Sequence, residues 1–219
     1  MPTRKDARRN RELLLRAAAE VLAERGVDAP VSAIAKRAGL TKMTLYRHFE
    51  TKDALINQVM ADHYERLAAT ARELARAKLS GFDALAAYMA HAVQQLGPDR
   101  AYFHVALLAG AESAAIRIAA TDLHGAVTEL VRAAQADGAV RGDLDAGDVH
   151  STVLGLTHSF SPTLGTHSPW WPRHLELVLD AFGPTADVVA EPAMRLEEYG
   201  RIQSDRKRRR LASARSPGR

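Results

Sequence analysis

Apolar residues recur three and four positions apart along most of the chain, the period of an amphipathic helix. Leu13, Leu14, Ala17, Ala18, Val21 and Leu22 make a first stripe, and Gly26 stops it. A short segment over 32–38 ends at Gly39, and Thr41 opens a second short segment that reaches about Phe49. Thr51 is placed to cap a long helix from Lys52, with Leu55, Val59, Leu67 and Leu74 as its apolar positions and Gly81 as its expected end. The interval between Val59 and Leu67 leaves the buried face of that helix undetermined.

Phe82, Leu85, Met89, Val93 and Leu96 mark the next helix, closed by Gly97-Pro98. Residues 101–109 are strongly apolar and end at Gly110. Ile116, Leu123, Val127, Leu130 and Ala134 stripe a longer helix ended by Gly138. Asp145 is a cap for another, in which Val149, Val153, Leu156 and Phe160 step by four, three and four. A polar loop is expected after Phe160 up to Pro169, and Trp171, Leu175, Val178 and Phe182 form the last stripe before Gly183-Pro184. No hairpin signal and no strand–helix alternation occurs, so the chain is expected to be all-α.

Composition narrows this picture. The 219 residues are 47% hydrophobic and 26% charged, which suits a soluble globular protein of one or two domains. With no cysteine, disulfides, thiolate metal sites and thiol redox sensing are excluded. No apolar run reaches the roughly 18 residues of a membrane helix. The basic start, MPTRKDARRN, lacks the apolar stretch of a signal peptide, so a cytoplasmic protein is expected.

The net charge of +4 is unevenly spread. Residues 1–60 hold 12 Lys/Arg against 7 Asp/Glu, residues 61–205 hold 11 against 19, and residues 206–219 hold 7 against none. A basic head and a basic tail therefore flank an acidic body. Basic segments suit a polyanion partner, because Lys and Arg replace condensed counterions on phosphates, although a solvated surface has the same composition. The tail has little to bury and is expected to be disordered.

The stretch from Pro30 to Phe49, PVSAIAKRAGLTKMTLYRHF, has the physics of a helix-turn-helix. Ala35 and Ala38 are small enough for a close helix crossing, Gly39 permits the turn, and Leu40 suits a core position. Thr41 is an N-cap, and Leu45 and Phe49, four apart, would anchor the second helix to the first long one. The opposite face then shows Lys42, Met43, Thr44, Tyr46, Arg47 and His48. Cations and hydroxyls for phosphates, with short or apolar groups for base edges, are what a helix in the major groove needs.

Through Ile34-Ala35, Ala38-Gly39, Thr41, Thr44-Leu45-Tyr46, His48-Phe49 and Thr51-Lys52-Asp53-Ala54-Leu55, the chain resembles the TetR family of bacterial transcriptional regulators, over residues 11–57. Residues 138–145, GAVRGDLD, before an amphipathic helix also resemble the family's C-terminal domain. The resemblance implies a helix-turn-helix DNA-binding domain over 1–51 and a helical ligand-binding and dimerisation domain over 52–203, and composition sets apart a basic tail over 204–219. It implies DNA contacts from Thr41, Lys42, Met43, Thr44, Tyr46, Arg47, His48 and Lys52, with Tyr46 and Lys52 on phosphates. Arg4, Lys5, Arg8 and Arg9 are further candidates from the N-terminus.

Two residues depart from the family pattern. Pro30 stands where many members place a Ser or Thr cap, and is expected inside the first turn, with Asp28 or Ala29 at the boundary. Met43 stands where many members have a small residue, and supplies a flexible apolar side chain of the kind that meets a thymine methyl.

In such proteins the second domain dimerises and usually holds an effector pocket. Candidate lining residues are Tyr88, Met89, Tyr102, Phe103, His104, Leu107, His158, Phe160 and Trp170, with His104 and His158 as orienting groups for a small, mostly apolar ligand. Val149, Val153, Leu156 and Phe160, with Trp171, Leu175, Val178 and Phe182, are candidates for a four-helix dimer interface. The expected function is a repressor that binds a palindromic double-stranded operator as a homodimer and is released by a small-molecule effector. The alternative is a helical DNA-binding architectural or interaction protein without an effector. The nine histidines show no metal-ligand spacing and no nucleophile elbow occurs, so no metal, cofactor or catalytic site is expected.

Overall fold

A computed structural model of the chain describes residues 4–96, 113–164, 170–184 and 189. Among them are eight helices and no strand: α1 Arg4–Arg25, α2 Val31–Arg37, α3 Lys42–His48, α4 Lys52–Arg76, α5 Gly81–Leu96, α6 Ala114–Ala136, α7 Ala146–Leu164 and α8 Trp170–Ala181. The described residues fall into two compact units, 4–62 with 113–117, and 63–96 with 118–164, 170–184 and 189. Each is taken by itself.

In the first unit α1 buries Leu14, Ala17, Ala18, Val21 and Leu22, the stripe expected of it. Gly26, at φ +75°, ends the helix with its N–H on the Leu22 carbonyl at 2.7 Å. α2 packs on α1 through Ile34 and Ala35. Its start differs from expectation. Pro30 is itself the N-cap, extended at φ −70° and ψ 142°, and no side chain caps the helix. That extended ψ places Pro30 outside the first turn, which begins at Val31, and Ala29 before it is buried.

The turn between α2 and α3 closes by paired hydrogen bonds: Gly39 donates to the Lys36 carbonyl at 3.1 Å and Leu40 to that of Ala35 at 2.9 Å. Gly39 sits at φ +68°, where a side chain would be strained. Thr41 then caps α3, its Oγ1 accepting the Thr44 N–H at 3.1 Å. Thr51 does the same for α4, accepting the Ala54 N–H at 3.0 Å.

α4 ends at Arg76, earlier than Gly81. Gly81 instead opens α5, after Ser80 and Asp83 form a reciprocal cap: the Asp83 N–H donates to Ser80 Oγ at 3.0 Å, and that hydroxyl donates to the Asp83 carboxylate at 2.7 Å. Gly81 is required for another reason. A Cβ there would lie 2.4 Å from the Ala133 carbonyl carbon, and its N–H donates to Asp137 at 2.6 Å. The undetermined face of α4 is completed by Met60 and His63, which are buried between Val59 and Leu67.

In the second unit α5 packs against α7 and α8, and α7 against α8. Leu85, Tyr88, Met89 and Val93 of α5 are buried, as are Leu123, Val127, Leu130 and Ala134 of α6, Val149, Val153 and Leu156 of α7, and Leu175 and Leu179 of α8. The turn over 138–145 is tied from several sides. The Gln135 amide donates to the carbonyls of Arg141, Gly142 and Leu144, the Arg141 N–H donates to the Phe182 carbonyl at 2.9 Å, and Asp145 accepts the Gly147 N–H at 2.6 Å. α7 runs on to Leu164, four residues past the expected loop start at Phe160, so Ser161 and Pro162 are helical. Among the described residues no helix is long and apolar enough to cross a membrane.

Candidate nucleic-acid interface

The reading face is built from α3 outward. Leu45 is fully buried and Phe49 nearly so, which fixes one side of the seven-residue helix against the core. Helical geometry then turns Lys42, Met43, Tyr46 and Arg47 outward, and all four are exposed. Met43 is 76% exposed and Tyr46 49%. Thr44, His48 and Lys52 are half-buried and Thr41 is exposed. The eight residues expected to touch DNA thus fall between Thr41 and the first turn of α4, around one short helix. The Thr41 and Thr44 hydroxyls lie 3.0 Å apart in a shared hydrogen bond, so capping and any outward contact use the same two groups.

Two cations that sequence reasoning passed over hold this face in place. Arg37, the last residue of α2, donates from Nη1 to Glu20 at 2.9 Å and from Nη2 to Glu24 at 2.9 and 3.0 Å, both glutamates being on α1. These bonds, that to Glu20 first, raise the guanidinium further above its ordinary pKa. Arg11 of α1 stacks its guanidinium over the Phe49 ring, 5.2 Å from the centroid. Neither pairing has a helical spacing, so only the fold reveals it. Arg4, Lys5, Arg8 and Arg9 are exposed on the first turns of α1, with Arg8 bonded to Glu12 at 3.2 Å.

In the second unit the expected residues scatter. Tyr88 and Met89 are buried in the core, and burial pushes the Tyr88 hydroxyl well above its usual range. Trp170 is 59% exposed, so it faces away from the unit's interior. Tyr102, Phe103, His104 and Leu107 lie outside the described residues, as do the side chains of His158 and Phe160. Of the apolar stripes expected at a dimer interface, Val149, Val153, Leu156 and Leu175 are buried within the chain's own core, where α5 packs on both α7 and α8. Trp171, Val178 and Phe182 are half-buried. The outward apolar residues of α8 are Trp170 and Leu177, the latter 53% exposed.

The second unit also encloses polar groups that the sequence did not single out. His150 of α7 and His124 of α6 bring their rings to 5.9 Å, and His124 Nδ1 is sealed from solvent without a hydrogen-bond partner. Burial, with His124 next, lowers the His150 pKa to about 4 against a weaker opposing effect of Asp145. His63 is likewise lowered to about 4, by burial first and then by Arg66 and His91. Each of these three buried or half-buried histidines stands beside or between apolar stripe residues, such as Leu123 and Val149, which was the available signal. No group of three or more His, Asp or Glu among the described residues is arranged to hold a metal ion.

Comparison with known proteins agrees with this arrangement. Residues 14–59 match the family model described as bacterial regulatory proteins, tetR family, and residues 80–180 match that of the transcriptional regulator SbtR-like C-terminal domain. The chain is 28% identical over 162 residues to the HTH-type transcriptional regulator UidR of Escherichia coli K12, covering 70% of this chain and 80% of that one. A TetR transcriptional regulator from Streptomyces coelicolor is 30% identical, with a TM-score of 0.60 over 80% of this chain and 99% of that one. A TetR transcription regulatory protein from Mycobacterium vanbaalenii is 31% identical, with a TM-score of 0.60 over 82% and 98%. At 19% identity, FadR from Bacillus subtilis, solved in complex with stearoyl-CoA, shares the fold, with a TM-score of 0.62 over 78% and 97%. With these relatives on both halves of its length, the chain belongs to the TetR family of bacterial transcriptional regulators, which are not enzymes.

Proposed function

We propose that this regulator is a repressor that binds a palindromic operator as a homodimer through α3 and is released by a small-molecule effector. The observation that carries the reading is the division of α3: Leu45 and Phe49 face the core while Lys42, Met43, Tyr46 and Arg47 stand in solvent. Lys42, Arg47 and Lys52 supply phosphate contacts, Tyr46 and the Thr41–Thr44 hydroxyls add hydrogen bonds, Met43 meets a base edge and His48 the backbone. A seven-residue helix reads few base pairs, which is why two copies on a two-fold operator are needed.

The reading head is assigned to residues 1–51, the ligand-binding and dimerising body to 52–203, and the basic tail to 204–219. Dimerisation is assigned to the outward faces of α7 and α8, where Ser151, Gly155 and Ser159 line one helix and Trp170 and Leu177 the other. An effector in the body, beside Tyr88 and Met89, is supported by the fold's capacity for ligands, since FadR of Bacillus subtilis was solved with stearoyl-CoA. The regulator acts in the cytoplasm, on the nucleoid when bound. Footprinting of the full chain at physiological salt should show a protected two-fold site. Absence of any sequence preference overturns the reading, and a monomer at micromolar concentration overturns the dimer.

A further inference from the structure

We propose that Met43 is a specificity-determining residue and that the base it selects is thymine, through the C5-methyl group. The inference rests on the operator-reading assignment of α3 made above and names the chemistry that one side chain reads there. Met43 is the most exposed of the large apolar side chains in the described part of the chain, at 76%. It stands on a face otherwise made of Lys42, Tyr46 and Arg47. Leu45, the other aliphatic residue of α3, is wholly buried. Met43 is therefore the single aliphatic group that α3 presents outward.

The side chain's chemistry limits what it can read. A thioether has no donor, and its sulfur is a weak acceptor, so it does not distinguish the polar edges of guanine, adenine or cytosine. In the major groove thymine alone among the four bases offers an apolar group, the C5-methyl. The flanking cations bring the helix to the phosphates but carry no sequence information. The Thr44 hydroxyl is polar and hydrogen-bonded to that of Thr41, so it serves polar contacts rather than an apolar one. Removing a methyl from water against a flexible side chain is the contact left for Met43 to make.

The test uses the full chain and duplexes selected from a random pool by gel shift. In a selected duplex each thymine is replaced in turn by deoxyuridine, which removes the methyl and leaves pairing unchanged. At one thymine in each half-site the replacement should weaken wild-type binding about fourfold, and about fifteenfold when made in both half-sites. Met43→Ala should bind the unmodified duplex more weakly and show no loss at that position, while Met43→Leu should keep the loss. Because Met43 is exposed, Met43→Ala should melt at the wild-type temperature, which separates the effect from misfolding. A preferred duplex indifferent to deoxyuridine, or a loss that persists in Met43→Ala, overturns the Met43 inference and leaves the operator reading standing. A pool that yields no preferred duplex overturns the operator reading and this inference together.

Discussion

The helix-turn-helix turns its polar chemistry to solvent, whereas the second unit encloses part of its own. α3 buries only Leu45 and turns its cations, its tyrosine and its methionine to solvent. The second unit keeps titratable groups inside: His63, Tyr88 and His150 all have pKa values displaced mainly by burial. A partner as highly charged as DNA is met by an exposed face that needs no desolvation of the core. Groups enclosed in a bundle are already stripped of water and are held neutral. The difference teaches where each proposed partner is to be sought: DNA on the surface of the first unit, and an effector in the interior of the second.

Acid is the sharpest way to break this contrast, and it should act through the second unit. Because His63 and His150 are lowered from 6.5 to about 4, the folded state stays neutral while the unfolded state takes up protons. The stability they contribute is complete above pH 6.5 and is lost as pH falls from 6.5 to about 4. Each displacement corresponds to roughly 3 kcal/mol, so the two together form the largest expected effect. Urea unfolding followed between pH 7 and 4 should show the decline, and His150→Asn should remove part of it. A flat profile would show that the imidazoles are hydrated rather than enclosed.

Within the first unit, the two sides of α3 should respond differently. Leu45→Ala should cost about 3 kcal/mol in denaturant unfolding, because it empties a fully buried site, and operator binding should fall with it. Lys42→Ala should leave the unfolding midpoint unchanged, weaken binding similarly across DNA sequences, and reduce the salt slope by about one per half-site. Equal loss of stability in both variants would mean that α3 has no free face.

The smallest effect should come from Arg37→Gln. The ion pairs with Glu20 and Glu24 are partly exposed, so the expected loss of stability is small and shrinks further at high salt. Thermal melts at low and high salt measure it directly. A loss as large as that of Leu45→Ala would show that the α1–α2 crossing depends on this charge more than on Ile34 and Ala35.

Much of the first unit was legible because local rules govern it. Gly26 and Gly39 end helices where positive φ is needed, Thr41 and Thr51 cap where their side chains reach the third following N–H, and Leu45 and Phe49 share a face. Pro30 is ambiguous in the sequence because its rigid φ suits both the cap and the first turn, and the two differ only in ψ, which the fold sets at 142°. Gly81 was misread for a related reason. A glycine signals a break, but here it permits a close approach to the backbone of Ala133 on another helix, which lies far away in sequence.

The sequence by itself determined the helical class, the helix-turn-helix and Lys42, Met43, Tyr46 and Arg47 as residues of its exposed face. Helical periodicity and caps act within a few residues, so a linear reading contains them. It could not decide which stripes of the second unit were spent inside the subunit. Val149, Val153, Leu156 and Leu175 look the same along the chain whether they serve its own core or an outward face, and the tertiary packing buries them in the core. Nor could it pair Arg37 with Glu20 and Glu24, or His124 with His150, since residues that distant meet only when helices cross. Burial and proximity across helices are properties of the whole fold, and they set the charge state of the interior histidines and leave Trp170 and Leu177 on the surface.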